Sequence, residues 1–309
     1  MKNTVLVIGR DFHPDGKETA AFIADSLKPY VEKRGYSVEF LSLKDILFDI
    51  SHDNGISVTN KQGVELSEYA VVLMTNWFSH ASIRKDIAYS LALYFEHNNV
   101  PYYNEEAGKS RSTSKLSQLV VAAYAGVPIA RTIFGLDLAA ASTKAASVIA
   151  APFILKDAQA SRGKGNYLLK SFDEVDAHSG DHTEKTPFIF QEFIESDGSD
   201  YRFFVAGNNR LVIKRSGTGG SHLNNTSAGG NAELVSLDDF SPEVQQDVTK
   251  MSQLLGRLVT GLDIMFNKKT GQHFFLEANP IPQIATGSFV AEKLDTLAEA
   301  LIASAKENQ

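Results

Sequence analysis

Glu277 and Asn279 stand two apart at the end of an apolar run, "HFFLEANP". In an extended strand residues i and i+2 point to one face. The carboxylate and the amide therefore project together, and Ala278 projects away. Neighbouring hard oxygens suit a cation such as Mg²⁺. A strand end whose polar groups simply meet water or cap the next turn accounts for these residues equally well. Asp263 adds a third oxygen donor. It lies in "TGLDIMFN", an apolar segment that pairs with the run above as a hairpin turned at "NKKTG". A lone buried carboxylate is costly. Three converging oxygens make sense when a divalent cation neutralises them, and Mg²⁺ is usually held by one or two carboxylates plus substrate phosphates.

Three further stretches carry residues fit for phosphate or nucleotide chemistry. "ILKDAQASRGKGN" places Lys156 on a strand, with Gly163 and Gly165 in the turn beyond it. A glycine turn lets backbone N–H groups close over phosphates, and a strand lysine holds phosphate oxygens as a point charge. A hairpin with a solvated Lys and Arg is the alternative. "FQEFIESDGSDYRFF" follows an apolar strand with Gln191, Glu192, Phe193 and Ile194, then sets Asp200 and Arg202 at i and i+2. A strand edge with apolar faces can hold adenine and a carboxylate can hold ribose hydroxyls. A surface ion pair, contributing little, is the alternative. Lys214 and Arg215 close the strand "LVIKRSG", and "NNTSAGG" after it is either a solvated loop or an active-site loop. "GKS" at 108–110 is not a phosphate loop, because Tyr103 stands where that motif needs glycine.

The elements that must position these residues fall into two patterns. Over residues 1–104 short apolar runs alternate with helical spacing. "TVLVIG", "SVEFLSL", "YAVVLMTN" and "VPYYN" read as strands, and 17–35 and 83–99 as helices. That order predicts an open α/β domain. A helix at 112–126 and strands at 130–135, 152–158 and 187–194 follow. The last third predicts two strands around an Asn-Asn turn (199–217), a polar loop (218–234), a helix (241–259), the 262–280 hairpin and a terminal helix (291–305). Closely spaced strands from 187 to 280 are an α+β pattern. In open α/β sheets ligands bind beyond the strand C-termini, which makes Arg10 and His13 substrate-contact candidates, against a solvated loop.

Composition narrows the classes. The 309 residues carry a net charge of -7, with 43% hydrophobic and 22% charged residues. This is ordinary globular material, and its mild acidity speaks against a nucleic-acid partner. There is no cysteine, hence no disulfide, thiolate metal site or cysteine nucleophile. The N-terminus reads as a first strand rather than a signal peptide. No segment approaches the roughly 18 apolar residues of a membrane span. The expectation is a cytoplasmic protein with no membrane partner.

Taken in order, these pieces resemble the ATP-grasp superfamily, and most of all its RimK-like and glutathione-synthetase-type carboxylate–amine ligases. The resemblance spans nearly the whole chain and adds a lysine, Lys115, on the helix "SKLSQLVVAAYAGVP". It implies an N-terminal open α/β (pre-ATP-grasp) domain over 1–104 and a two-lobed ATP-grasp fold, with a central lobe at 105–190 and a C-terminal lobe at 191–309. Lys115, Lys156, Gly163 and Gly165 would hold ATP phosphates. Glu192, Phe193 and Ile194 would hold adenine, and Asp200 the ribose. Asp263, Glu277 and Asn279 would hold two Mg²⁺ ions, with Mn²⁺ as a substitute. Arg202, Arg215 and Asn225 would be the catalytic set. The implied activity joins a small-molecule or peptide carboxylate to an amine through an acyl phosphate, in a homo-oligomer. A ligase acting on a protein or peptide tail, and an ATP-binding regulator without turnover, are the alternatives. Ser227 and Ala228 depart from a family segment that is usually more basic, and Arg162 and Lys164 make the glycine loop unusually basic. These departures bear on the substrate rather than on the ATP chemistry.

Overall fold

A computed structural model of the chain describes residues 2–11, 18–53, 55–75, 82–104, 114–158, 165–181, 187–217, 231–280 and 282–308. Gly163 and Asn225 lie outside the described residues, as do His13, Arg162, Lys164, Ser227 and Ala228.

The chain starts with β1 (Thr4–Gly9), α1 (Ala20–Glu32) and β2 (Ser37–Ser42). A hairpin of β3 (Ile46–Ser51) and β4 (Gly55–Asn60) follows, then β5 (Val71–Met74), α2 (Ser82–His97) and β6 (Tyr102–Tyr103). Strands β2, β1, β5 and β6 form one parallel sheet in that order. β1 and β5 are buried along their whole length, as parallel strands covered on both faces must be. α1 begins at Thr19, whose hydroxyl accepts from the Phe22 N–H at 3.1 Å.

The middle of the chain holds α3 (Lys115–Tyr124), β7 (Thr132–Phe134), α4 (Leu138–Ala146), β8 (Phe153–Asp157), β9 (Asn166–Leu169) and β10 (Phe188–Glu192). Its four strands form an antiparallel sheet in the order β7-β10-β8-β9. One face of that sheet, with Phe153, Leu155, Phe188 and Phe190, packs a closed core with Ala141 and Ala145 of α4. The last part holds β11 (Ser199–Ala206), β12 (Asn209–Ser216), β13 (Asn231–Val235), α5 (Pro242–Leu254), β14 (Val259–Phe266), β15 (His273–Asn279) and α6 (Val290–Glu307). Its five strands form an antiparallel sheet in the order β13-β12-β11-β14-β15.

Four elements differ from the sequence expectation. The β3–β4 hairpin is new: with Leu47, Ile50 and Ile56 exposed, it shows neither clean alternation nor a buried run. α4 is also new. Its segment "LAAASTKAA" buries only Ala141 and Ala145, so no large side chains mark its inner face. β13 lies within what reads as a polar loop. The β11–β12 turn is Gly207–Asn208, one residue earlier than the Asn-Asn pair, because Gly207 takes the left-handed backbone at φ +56° and Asn209 already opens β12.

One core ties the ends of the chain together. Leu294, Leu297, Ala298 and Leu301 of α6 cluster with Val5, Val7, Ile23 and Leu27 and with Phe204, Ala206 and Val259. The parallel sheet and the five-stranded sheet therefore share apolar surface through α6. Asn104 adds a polar rivet. Its Nδ2 donates to the Met74 carbonyl at 3.0 Å, and its Oδ1 accepts from the Val259 N–H at 3.1 Å. It does this at φ +67°, a region that asparagine tolerates better than most residues. Asn104→Ala strands both buried backbone groups and is expected to lower unfolding stability by about 2–4 kcal/mol. Asn104→Gly should recover only the backbone part, as read by denaturant unfolding of both variants.

Candidate active site

The site is built on one face of the five-stranded sheet, and a bulge in β15 makes that face. Asp263 pairs with Glu277 and Gly261 with Asn279, but Ile264 pairs with Phe275, so Leu276 has no partner across the ladder. The extra residue reverses the alternation. Phe275 and Ala278 both enter the core beneath the sheet, beside Leu119 of α3 and Val244 of α5. Glu277 and Asn279 are turned to the other face with Asp263. Arg257, almost fully buried, donates to the Ala278 carbonyl and fixes the strand end.

On that face two arginines grip one carboxylate. Arg202 Nε and Nη2 reach Asp263 Oδ1 and Oδ2 at 2.8 and 2.7 Å. Arg215 Nη2 lies 3.0 Å from the same Oδ2, and Arg215 Nε lies 2.6 Å from Asp200 Oδ1. Bidentate Arg–carboxylate pairing fixes direction as well as distance. Burial pushes the Asp263 carboxyl up, but the charges of Arg202 and Arg215 override it and hold it below the usual range. Asp200 has less help: burial raises it to about 6 against the pull of Arg215. Asn279 Nδ2 donates to Asp263 Oδ2 at 3.2 Å and to Glu277 Oε1 at 3.1 Å, which locks the three candidate ligands into one array.

This donor set fits Mg²⁺. It offers two carboxylates and an amide, all hard oxygen donors. Glu277 is in no ion pair among the described residues, and Asp263 Oδ1 accepts a single hydrogen bond among them. With two carboxylates and one amide the set is not a cluster of three His, Cys, Asp or Glu, and no such cluster occurs among the described residues.

The lysines come from the middle of the chain. Lys156 sits on β8 with its ammonium enclosed, donating to Gln191 Oε1 at 2.8 Å. Gln191 Nε2 in turn donates to Thr132 Oγ1 at 2.9 Å. Burial and then the charge of Lys115 lower the Lys156 ammonium to about 8, against the opposing charge of Glu277. Lys115 Nζ lies 3.4 Å from the Asp157 carbonyl. Gly165 takes φ +60° and its carbonyl accepts from the Asp157 N–H at 2.8 Å, closing the described base of the glycine turn.

The remaining sequence candidates fall nearby. Glu192 is exposed, and its backbone N–H and Oε2 are both engaged with the backbone of Arg131. Phe193 is half-buried and Ile194 buried. They open the irregular segment that joins β10 to β11. Arg10 lies just beyond β1, its carbonyl accepting from the Ala20 N–H. Sequence reasoning missed the orienting role of Gln191, because an amide on an apolar strand carries no motif. It also missed Glu18 and Lys293, far apart in sequence and both buried.

Asp263→Asn leaves two buried guanidiniums facing a neutral amide. Breaking a buried ion pair from one side typically costs about 3–5 kcal/mol. We expect a loss of that order in denaturant unfolding, and a smaller one for Glu277→Gln, whose carboxylate accepts from Asn279 but is in no ion pair among the described residues.

Comparison with known proteins places this geometry in a family. The model of the RimK-like ATP-grasp domain matches residues 112–303, more than half of the chain. A probable alpha-L-glutamate ligase of Cellvibrio japonicus is 28% identical over 213 residues, 66% of this chain and 69% of that protein. A probable alpha-L-glutamate ligase of Legionella pneumophila is 30% identical over 168 residues, 52% of this chain and 54% of that protein. The match thus spans about half the length of the second relative. Among solved structures, the ATP-grasp ligase PsnB with minimal precursor, Mg and ADP superposes over 99% of this chain and 98% of its own, with a TM-score of 0.73 at 17% identity. PsnB has also been solved with its precursor peptide and AMPPNP. The chain belongs to the RimK-like ATP-grasp family and is an ATP-dependent carboxylate–amine ligase.

Proposed function

We propose that the enzyme forms an amide or peptide bond through an acyl phosphate, with L-glutamate as one of its two substrates. The observation that carries the reading is the convergence of Asp263, Glu277 and Asn279 with Arg202 and Arg215 on one sheet face, within the charge field of Lys156. The glutamate assignment is supported by the two glutamate-ligase relatives. A peptide or protein tail as the other substrate is supported by the fold shared with PsnB.

A carboxylate resists amines because its charge repels them and oxide is a poor leaving group. Transfer of the γ-phosphoryl group gives an acyl phosphate, and attack by the amine nitrogen displaces phosphate. The protein then has to position and neutralise. Lys115, Lys156 and the turn of Gly163 and Gly165 hold the phosphates. Glu192, Phe193 and Ile194 receive adenine. Asp200 serves the ribose and orients Arg215. Arg202 and Arg215 meet the charge of the transferring group, and Asn225, outside the described residues, would serve the reacting carboxylate. Mg²⁺ held by Asp263, Glu277 and Asn279, as two ions with Mn²⁺ as a substitute, would neutralise the phosphate oxygens. A turn closed over the phosphates would keep water from the acyl phosphate. A division at 104 and 190, a homo-oligomeric state and a cytoplasmic location complete the reading. Among the described residues, no helix is long and apolar enough to cross a membrane.

The test is hydroxamate formation with Mg-ATP and hydroxylamine over carboxylic acids, L-glutamate and short acidic peptides. A hydroxamate formed with matching ADP is expected, and Glu277→Ala should lower turnover at least about 100-fold, the scale of losing a main charge-stabilising group. ATP binding without ADP formation on any acid would favour a regulator instead. The lysine gives a pH signature. In the free enzyme the Lys156 ammonium is lost as pH rises through about 8, so kcat/KM for ATP should fall above that pH. Lys156→Arg, charged throughout, should remove that falling limb.

A further inference from the structure

The loop that follows Asn279 is held by two buried charges that no step above uses. Glu18 is 6% exposed and Lys293 3% exposed. Glu18 accepts from the Ala285 N–H with one oxygen and from Thr286 Oγ1 at 3.2 Å with the other. Lys293 donates to the Gln283 carbonyl, and to the Thr286 carbonyl at 2.7 Å. Between them they hold three residues of the segment 283–286: Gln283, Ala285 and Thr286. The loop needs such a grip. Gln283, Gly287 and Phe289 all take the left-handed backbone, at φ +59°, +72° and +56°, and only the glycine does so readily.

Two features set this grip apart from ordinary loop packing. Neutral amides could make most of the same hydrogen bonds, whereas two buried ionised groups carry a large desolvation penalty. Burial and then the charge of Arg202 lower the Lys293 ammonium to about 8, against the opposing charges of Glu18 and Glu292. The charged pair thus stands in the field of an arginine that holds Asp263. The loop also touches that arginine's seat. A side chain at Gly261 would come within 3.0 Å of Pro282 Cβ and 3.1 Å of Arg202 Cδ. Gly261 is the strand partner of Asn279. Pro282 and Arg202 both border Gly261, so a shift of the loop would reach the seat of Arg202 at that glycine.

Glu18 stands between β1 and α1, at the C-terminal edge of the parallel sheet, where open α/β sheets receive ligands. Lys293 stands on α6, which packs in the core shared by that sheet and the five-stranded sheet. We propose that Glu18 and Lys293 are positioning residues that clasp loop 282–289 and set the crevice in which the carboxylate substrate meets Arg202. This rests on the ligase reading of the Asp263 site but involves none of its nucleotide contacts.

The full chain and its Glu18→Ala, Lys293→Met, Glu18→Gln and Lys293→Arg variants are compared in three measurements. They are backbone hydrogen exchange over 282–289, Mg-ADP affinity by calorimetry, and hydroxamate kinetics with L-glutamate as the probe acid. Glu18→Ala and Lys293→Met should speed exchange in that loop at least about tenfold and raise the KM for L-glutamate by a similar factor. Mg-ADP affinity should stay within about twofold, and the Gln and Arg variants should recover part of both effects. Unchanged loop exchange overturns the clasp. So does a parallel weakening of Mg-ADP affinity and KM, which would mean general loosening. A wild-type enzyme that binds Mg-ADP yet makes no hydroxamate with L-glutamate defeats glutamate as the acid substrate instead, and exchange and affinity then decide the clasp. A wild-type enzyme that binds no Mg-ADP defeats the site reading itself.

Discussion

Asp263, held between Arg202 and Arg215, is the interaction on which the rest of the site depends. It neutralises two guanidiniums that would otherwise repel each other on a largely buried sheet face. Both pairs must be well directed to offset the desolvation of three charges. Through Asn279 Nδ2 the same carboxylate is linked to Glu277. Three strands, β11, β12 and β14, are thereby tied to β15 by side chains as well as by their ladder. An array this constrained keeps its oxygens and guanidiniums in fixed positions, which is what the proposed phosphoryl transfer would require of it.

The array exists because one strand breaks its own alternation. Regular pairing along β15 would send Phe275 and Glu277 to the same face. The unpartnered Leu276 lets phenylalanine go down and glutamate go up. The apolar underside packs on α3 and α5, and the upper side is left for charge. On the facing sheet Lys156 obeys ordinary alternation, with its neighbours Leu155 and Phe153 in the opposite core. Gln191 then aims its ammonium.

The C-terminal helix decides how the parts meet. α6 lies between the parallel sheet and the five-stranded sheet and contributes to one shared core. Asn104 crosses the same boundary with two backbone hydrogen bonds. Lys293 projects from this helix to the loop that follows β15, so one side chain links the helix to that loop.

Much of the candidate site's layout was legible in sequence because it is local. Glu277 with Asn279, Asp200 with Arg202, and Lys156 before its glycines each lie within a few residues, where strand geometry alone fixes who shares a face. Strands β1, β5, β10 and β14 announced themselves as apolar runs. The β3–β4 hairpin and α4 did not, since exposed isoleucines and small alanines blur the periodicity that marks a buried face. Pairing across the fold was equally hidden. Nothing local says that Asp200 turns to Arg215, that Leu276 is bulged, or that Glu18 and Lys293 close on one loop. By itself the sequence determined the residue types, their local facing and the family's order of motifs. Only the tertiary structure decided which charges neutralise one another, because burial and ion pairing depend on what the rest of the chain packs around them.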